Sequence, residues 1–330
     1  MTGLDIRDAF CYTFEIKDRG SVVKFSKYLK RYREKHGVTQ QDLVYGLYSF
    51  DDEMFRGLDT TTVSKWERGI TQPKLAKQVR ILQYFQQETG LAFPALKEES
   101  VEQTEKLICR AGFENLVLNK SKELVLNFPE KTMNEKNLHV EHIRYSDRMD
   151  AILEIAADIR NSNNPSFFHI TLDQMRSWAL NPSNLFLICT YKEIVTALLF
   201  TLRLKPEIFE SVMHFTKSIH QITNEDFATF DEPGTSYIIA FIALNGKSAS
   251  MLFLRYYAHL IANQDRIISV GVTTALPDAR KIIENMDLDH IKTYEEEGIR
   301  VDSYDATLQQ ALATENVVKL ILRREECPEE

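Results

Sequence analysis

The sequence predicts a multidomain protein, with an all-α domain followed by an α/β domain built on a mixed central sheet. Three observations predict it. The chain has 330 residues, more than one simple domain of about 100–200 residues needs. Residues 21–89 carry apolar side chains at helical spacing, punctuated by capping signals. Beyond residue 138, strand-like and helix-like segments alternate. Apolar residues make up 44% and charged residues 27%, which excludes wholesale disorder.

Phe10, Tyr12, Phe14 and Ile16 alternate, suggesting a short strand or arm before Gly20. Ser21 is a candidate cap for a helix burying Val22, Phe25, Leu29 and Tyr32 and ending at Gly37. Thr39 and Asp42 have capping-box spacing and open a second helix through Leu43 and Leu47. Asp59 caps a third, Thr60–Arg68, with Gly69 at its exit, and Pro73 opens a fourth along Leu75, Val79 and Leu82. The boundaries follow as an all-α domain over 1–92, a connector with some helix over 93–137 and an α/β domain over 138–330. Within the last, strands are expected at 138–143, 185–191, 194–204, 237–244, 267–273 and 317–322. Helices are expected at 149–160, 172–180, 249–263 and 278–286.

The net charge of −8 conceals an asymmetry. From Arg19 to Arg80, 13 Lys and Arg stand against 7 Asp and Glu, leaving the remainder near −14. A basic segment on an acidic body suggests a nucleic-acid footprint. Cys11, Cys109, Cys189 and Cys327 are dispersed with no Cys-x-x-Cys pair, so neither a zinc ribbon nor a disulfide framework is expected. No metal ligands are assigned. The N-terminus lacks a secretory pattern and no apolar run approaches the roughly 20 residues of a membrane span, so a cytoplasmic location is expected.

Three successive stretches share one pattern: Thr39-Gln-Gln-Asp-Leu, Thr61-Thr-Val-Ser-Lys-Trp-Glu-Arg-Gly and Gln72-Pro-Lys. Together they resemble the Xre family of helix-turn-helix regulators, related to phage lambda-type repressors. The resemblance implies a DNA-binding domain whose recognition helix is Thr60–Arg68, with its N-terminal end at base edges in the major groove. Thr60, Thr61, Thr62, Ser64 and Lys65 are then the candidate base-reading and groove residues. Gln40, Arg68 and Lys74 are candidates for the phosphate backbone. Val63 and Trp66 would face the core, and the resemblance implies a buried pair of Glu67 with Arg33. The stretch between Thr39 and Trp66 is longer than the compact family pattern. Its extra residues mix Asp51, Asp52 and Glu53 with Phe50, Met54, Phe55 and Leu58. The acids are expected to turn outward and the aromatics inward.

Strand 237–244, the stretch Asn245-Gly-Lys-Ser-Ala-Ser, a helix from about Ala249 and the following strand and helix resemble the GNAT acyltransferase superfamily. That resemblance implies a loop offering backbone N–H groups to the pyrophosphate of acetyl-CoA or another acyl-CoA. Asn245, Gly246, Lys247, Ser248, Ala249 and Ser250 are therefore the candidate ligand-binding residues. The family's loop glycines are replaced here by Ser248 and Ser250, and its thiolate-protonating tyrosine falls near Ile283. No catalytic residue is assigned. His214, His220, Glu225 and Asp226 read as polar loop residues.

The leading expectation is a homodimeric regulator bound to a double-stranded operator. Its acyltransferase-like domain senses an acyl ligand or drives dimerisation. The alternatives are an active CoA-dependent N-acetyltransferase fused to a DNA-binding module, and a protein-interaction adaptor such as an antitoxin.

Overall fold

A computed structural model of the chain describes residues 24–108, 133–134, 137–277, 279–280, 283 and 286–322. The expected arm before Gly20, the Ser21 cap and three of the cysteines lie outside these residues. A helical N-terminal region is followed by a mixed seven-stranded sheet.

The helical region comprises α1 (Phe25–Lys35), α2 (Gln40–Phe50), α3 (Asp52–Phe55), α4 (Thr60–Glu67) and α5 (Leu75–Thr89). Local chemistry fixes their ends. Thr39 and Asp42 form a complete capping box on α2, and Asp59 accepts from the Thr62 N–H at the start of α4. Gly37, Gly69 and Gly90 take positive φ where α1, α4 and α5 end, a conformation only glycine adopts cheaply. Phe25, Tyr28, Leu29, Leu43, Leu47, Val63 and Phe85 are all buried. The long stretch before α4 is itself ordered. Asp51 caps α3 and pairs with Arg80 at 2.7 Å, Phe55 is buried, and Asp52 and Glu53 face outward.

A short helix α6 (Val101–Leu107), with a capping box from Ser100, precedes the sheet. The strands are β1 (Leu138–His142), β2 (Leu185–Tyr191), β3 (Ile194–Leu204), β4 (Gly234–Ala243), β5 (Ile267–Thr274), β6 (Asp289–Glu296) and β7 (Ile299–Thr307). Their order is β1-β2-β3-β4-β5-β7-β6. Only β4 and β5 pair in parallel; the other neighbours are antiparallel. One face is covered by α7 (Met149–Asn163), α8 (Leu172–Leu180) and α9 (Pro206–Met213), which bury Leu153, Trp178 and Met213 among others. The other face carries the crossover helix α10 (Gly246–Ala262), 12 of whose 17 residues are buried. Two short helices, α11 (Leu308–Leu312) and α12 (Glu315–Ile321), are the last described elements and pack on that side.

The core under α10 is continuous with that of α1–α5. The segment joining them is part of it: Ala92, Phe93, Ala95 and Leu96 are fully buried. Gln264, itself buried, clasps Phe93 by accepting its N–H at 2.5 Å and donating to its carbonyl at 3.1 Å. Gln86 donates to the Gln309 carbonyl, and Gln309 donates to that of Gly90.

Two expectations need correction. The strand expected at 317–322 is instead the helix α12, which ends at Ile321. Thr314 caps the turn through the Val317 N–H, and Val317, Val318 and Ile321 bury one helical face beside α5. The helix expected from Ala249 begins at Gly246, because Asn245 caps it. The sequence reading also passed over the hairpin of β6 and β7, whose turn residues Glu297 and Gly298 both take positive φ.

Gln264→Leu should lower stability by about 2–4 kcal/mol, since it strands two buried backbone groups of Phe93. Urea unfolding followed by circular dichroism measures the loss, and a change below about 0.5 kcal/mol would show the clasp to be dispensable.

Candidate functional site

Helix α4 is held from behind by a charged network. Arg33 of α1 donates through Nε to Glu67 at 2.7 Å, and Gln40 of α2 donates to the other carboxylate oxygen at 2.7 Å. Arg33 also donates to the Val38 carbonyl. Three helices thus converge on one carboxylate that is only 5% exposed. Its bond to Arg33 raises the guanidinium's pKa above the ordinary value. Val63 and Trp66 fill the core beneath the same helix.

The opposite side of α4 faces outward. Thr61, Lys65 and Arg68 are exposed at spacings of four and three, which is one helical row. Thr60, Thr62 and Ser64 flank it and are half-buried. The Arg68 guanidinium donates to the Ser64 carbonyl, laying the side chain back along its own helix. Lys74 is exposed at the cap of α5. Gln40 differs from the expectation in one respect: its side-chain amide braces Glu67. On α1, the row Ser26, Lys30 and Arg33 adjoins α4, since Arg33 meets Glu67 and the Ser26 hydroxyl lies beside Gly69.

The second region is the split between β4 and β5. Their parallel pairing ends at Ile238 and Val272, while β4 continues beside β3 to Ala243. At the same point β3 passes from Phe200, opposite Ala240, to Thr201, opposite Ile238. Ile239 is therefore a bulged residue with no partner in register on either side, an irregularity often found beside functional sites. Arg160 of α7 donates through Nη1 to the Ile239 carbonyl at 2.6 Å. Tyr237 and Thr273 bridge the strands through their hydroxyls at 2.6 Å.

The six candidate ligand residues lie at the start of α10, on the other face. Asn245, Gly246, Ser248, Ala249 and Ser250 are buried and Lys247 is half-buried. The Asn245 side chain accepts from the Ser248 N–H and donates to the Met133 sulfur. The Ser248 hydroxyl donates to Thr196, and that of Ser250 to the Gly246 carbonyl. The stretch read as a ligand-presenting loop is thus an internally capped first turn of helix. Ile283 is a core residue.

Of the polar residues upstream, Asp226 accepts from Lys217 at 2.9 Å and caps a short turn at Thr223. His214 meets the Glu210 carbonyl and His220 the Ser218 hydroxyl. Sequence reasoning missed Arg160. Its signal was present, because Arg160 continues the row Ile152 and Ala156, both buried, at a spacing of four. Among the described residues, no group of three or more His, Cys, Asp or Glu is arranged to hold a metal. No described helix is long and apolar enough to cross a membrane.

No family model and no curated protein matches the sequence. Solved structures similar to part of the chain include an N-acetyltransferase from Staphylococcus aureus Mu50, at 12% identity and a TM-score of 0.36, covering 52% of this chain and 99% of that one. FeeM, an N-acyl amino acid synthase from uncultured soil microbes, is similar at 7% identity and a TM-score of 0.37, covering 54% of this chain and 93% of its own. A polyamine N-acetyltransferase of Drosophila melanogaster is similar at 8% identity and a TM-score of 0.36, covering 52% and 99%. Likenesses this remote say nothing about chemistry.

Glu67→Ala should cost about 3 kcal/mol by leaving Arg33 and Gln40 without their acceptor, whereas Arg33→Met with Glu67→Met should restore most of it. Urea unfolding of the three proteins tests this. Equal losses in the single and the double variant would show that the network does not brace α4.

Proposed function

We propose that the chain is a sequence-specific DNA-binding regulator that reads operator DNA through α4, as a homodimer, under control of a small molecule held by its sheet. The observation that carries this reading is the outward row Thr61, Lys65 and Arg68 on a helix braced from behind by Arg33, Gln40 and Glu67. Base reading demands a helix whose position is fixed, because hydrogen bonds to base edges tolerate little misplacement. The threonines offer hydroxyls and methyls for base edges, while Lys65, Arg68 and Lys74 supply charge for phosphates. Lys30 stands on the adjoining row of α1 and extends the positive footprint. The basic balance of residues 19–80 agrees with such a surface. One module of this size reads few base pairs, which favours a pair of copies on a two-fold site.

The sheet suits an effector or an acyl group. Parallel strands that part at their C-terminal ends open a crevice, the usual ligand position in sheets with parallel pairs. An effector placed there regulates only if it binds the DNA-competent and DNA-incompetent states unequally. The continuous core between α5, Phe93 and α10 offers a route for that difference.

A second reading, acyl transfer from an acyl-CoA, is favoured by the same parting and by the bulge at Ile239. The closed, self-capped start of α10 and Ile283 at the expected tyrosine position weigh against it.

Selection from random duplexes, followed by fluorescence anisotropy at several salt concentrations, tests the leading reading. Thr61→Ala and Lys65→Ala should each weaken the selected site by about 1–3 kcal/mol, and Arg68→Ala should reduce the salt slope by about 1. Unchanged site choice in both of the first two variants would remove α4 from base reading. Thiol release from acetyl-CoA with pooled amines, at rates above buffer, would favour the enzyme.

A further inference from the structure

We propose that the split between β4 and β5 receives the carboxylate of a small molecule, with Arg160 as the group that holds it. This deepens the effector half of the reading above by naming the chemistry of the ligand. Arg160 is 7% exposed. Its Nη1 donates to Ile239, but its Nε and Nη2 make no hydrogen bond among the described residues. No described carboxylate lies within ion-pair distance of it, whereas Arg33 has Glu67 and Arg255 has Glu105. A buried ion with neither counter-ion nor full hydrogen bonding is among the least favourable arrangements in a protein. Burial lowers the guanidinium's pKa from its ordinary value, and the Tyr237 hydroxyl beside it opposes that shift only in part.

The two idle nitrogens share one edge of the guanidinium. That edge is a two-pronged donor matching the spacing of carboxylate oxygens. The third nitrogen is already fixed to the bulged carbonyl, so the fork is oriented before anything binds. Charge decides between anions. A carboxylate neutralises one guanidinium, while a phosphate dianion would bring excess charge into the apolar core to which Ala156 and Ile239 belong. The Tyr237–Thr273 hydroxyl pair supplies polar groups on the same apolar face. A molecule with one carboxylate on an apolar body fits these surroundings.

The test uses the full chain without DNA, so its outcome is independent of operator binding. Thermal unfolding is followed with millimolar butyrate, hexanoate and benzoate, and with the corresponding neutral amides. At least one carboxylate should raise the midpoint by several degrees while its amide does not. Arg160→Met should unfold at or above the wild-type midpoint in the absence of ligand and lose the response. Arg160→Lys, which keeps the charge without the fork, should retain a reduced response. Three results would each overturn the proposal: no midpoint shift with any carboxylate, equal shifts with acids and amides, or an undiminished response in Arg160→Met. If these hold while operator binding is intact, the DNA reading stands alone.

Discussion

The parallel pairing of β4 with β5 is the constraint on which the rest of the architecture depends. Antiparallel neighbours can be joined by a tight turn, but two strands running the same way need a crossover over one face of the sheet. Here that crossover is α10, and its 17 residues serve two partners. One side packs on the sheet. The other joins the core that extends through Phe93 and α5 to the N-terminal helices. The same pairing is cut short at Ile238 and Val272, because β4 stays with β3 after it leaves β5. The platform for the helical region and the parting of the two strands thus have one origin.

The two sites differ in how their charge is managed. Arg33 is satisfied on every side the helices present, through Glu67 and the Val38 carbonyl, and the result is rigidity behind an exposed row. Arg160 is held by the Ile239 carbonyl and flanked by the Tyr237 hydroxyl, and its Nε and Nη2 have no hydrogen-bond partner among the described residues. A saturated, half-buried cation stabilises a fixed surface. An unsaturated one creates affinity for something that is not part of the chain.

The helical region was largely legible in the sequence because its signals are local. Thr39 with Asp42, Asp59, Gly69 and the spacing of Val63 and Trp66 each act within one or two turns, and each is found where expected. The hairpin of β6 and β7 was not legible. Its outer strand, Asp289–Glu296, is mostly exposed and charged, so it lacks the apolar alternation that marks a strand. Residues 317–322 erred in the opposite direction. Their β-branched run suits a strand, but a threonine cap and a place beside α5 make them helical as far as Ile321. The start of α10 could not be judged from residue types alone, since Asn, Gly and Ser suit a loop as well as a cap. The crevice was hidden for a deeper reason. Arg160 and Ile239 are 79 residues apart, and no local pattern reports that a helix meets a bulge in a distant strand.

The buried segment at Ala92–Leu96 bears on how such a protein can change over generations. Chains of two units are commonly remade by recombination at an exposed joint, where either half can be traded without harm to the other. Here the segment that follows α5 is inside the core, its backbone fastened by Gln264. A foreign body spliced on at Phe93 would lack that glutamine and the apolar seat around it. The two halves are therefore bound to one inheritance, each altered only in step with the other.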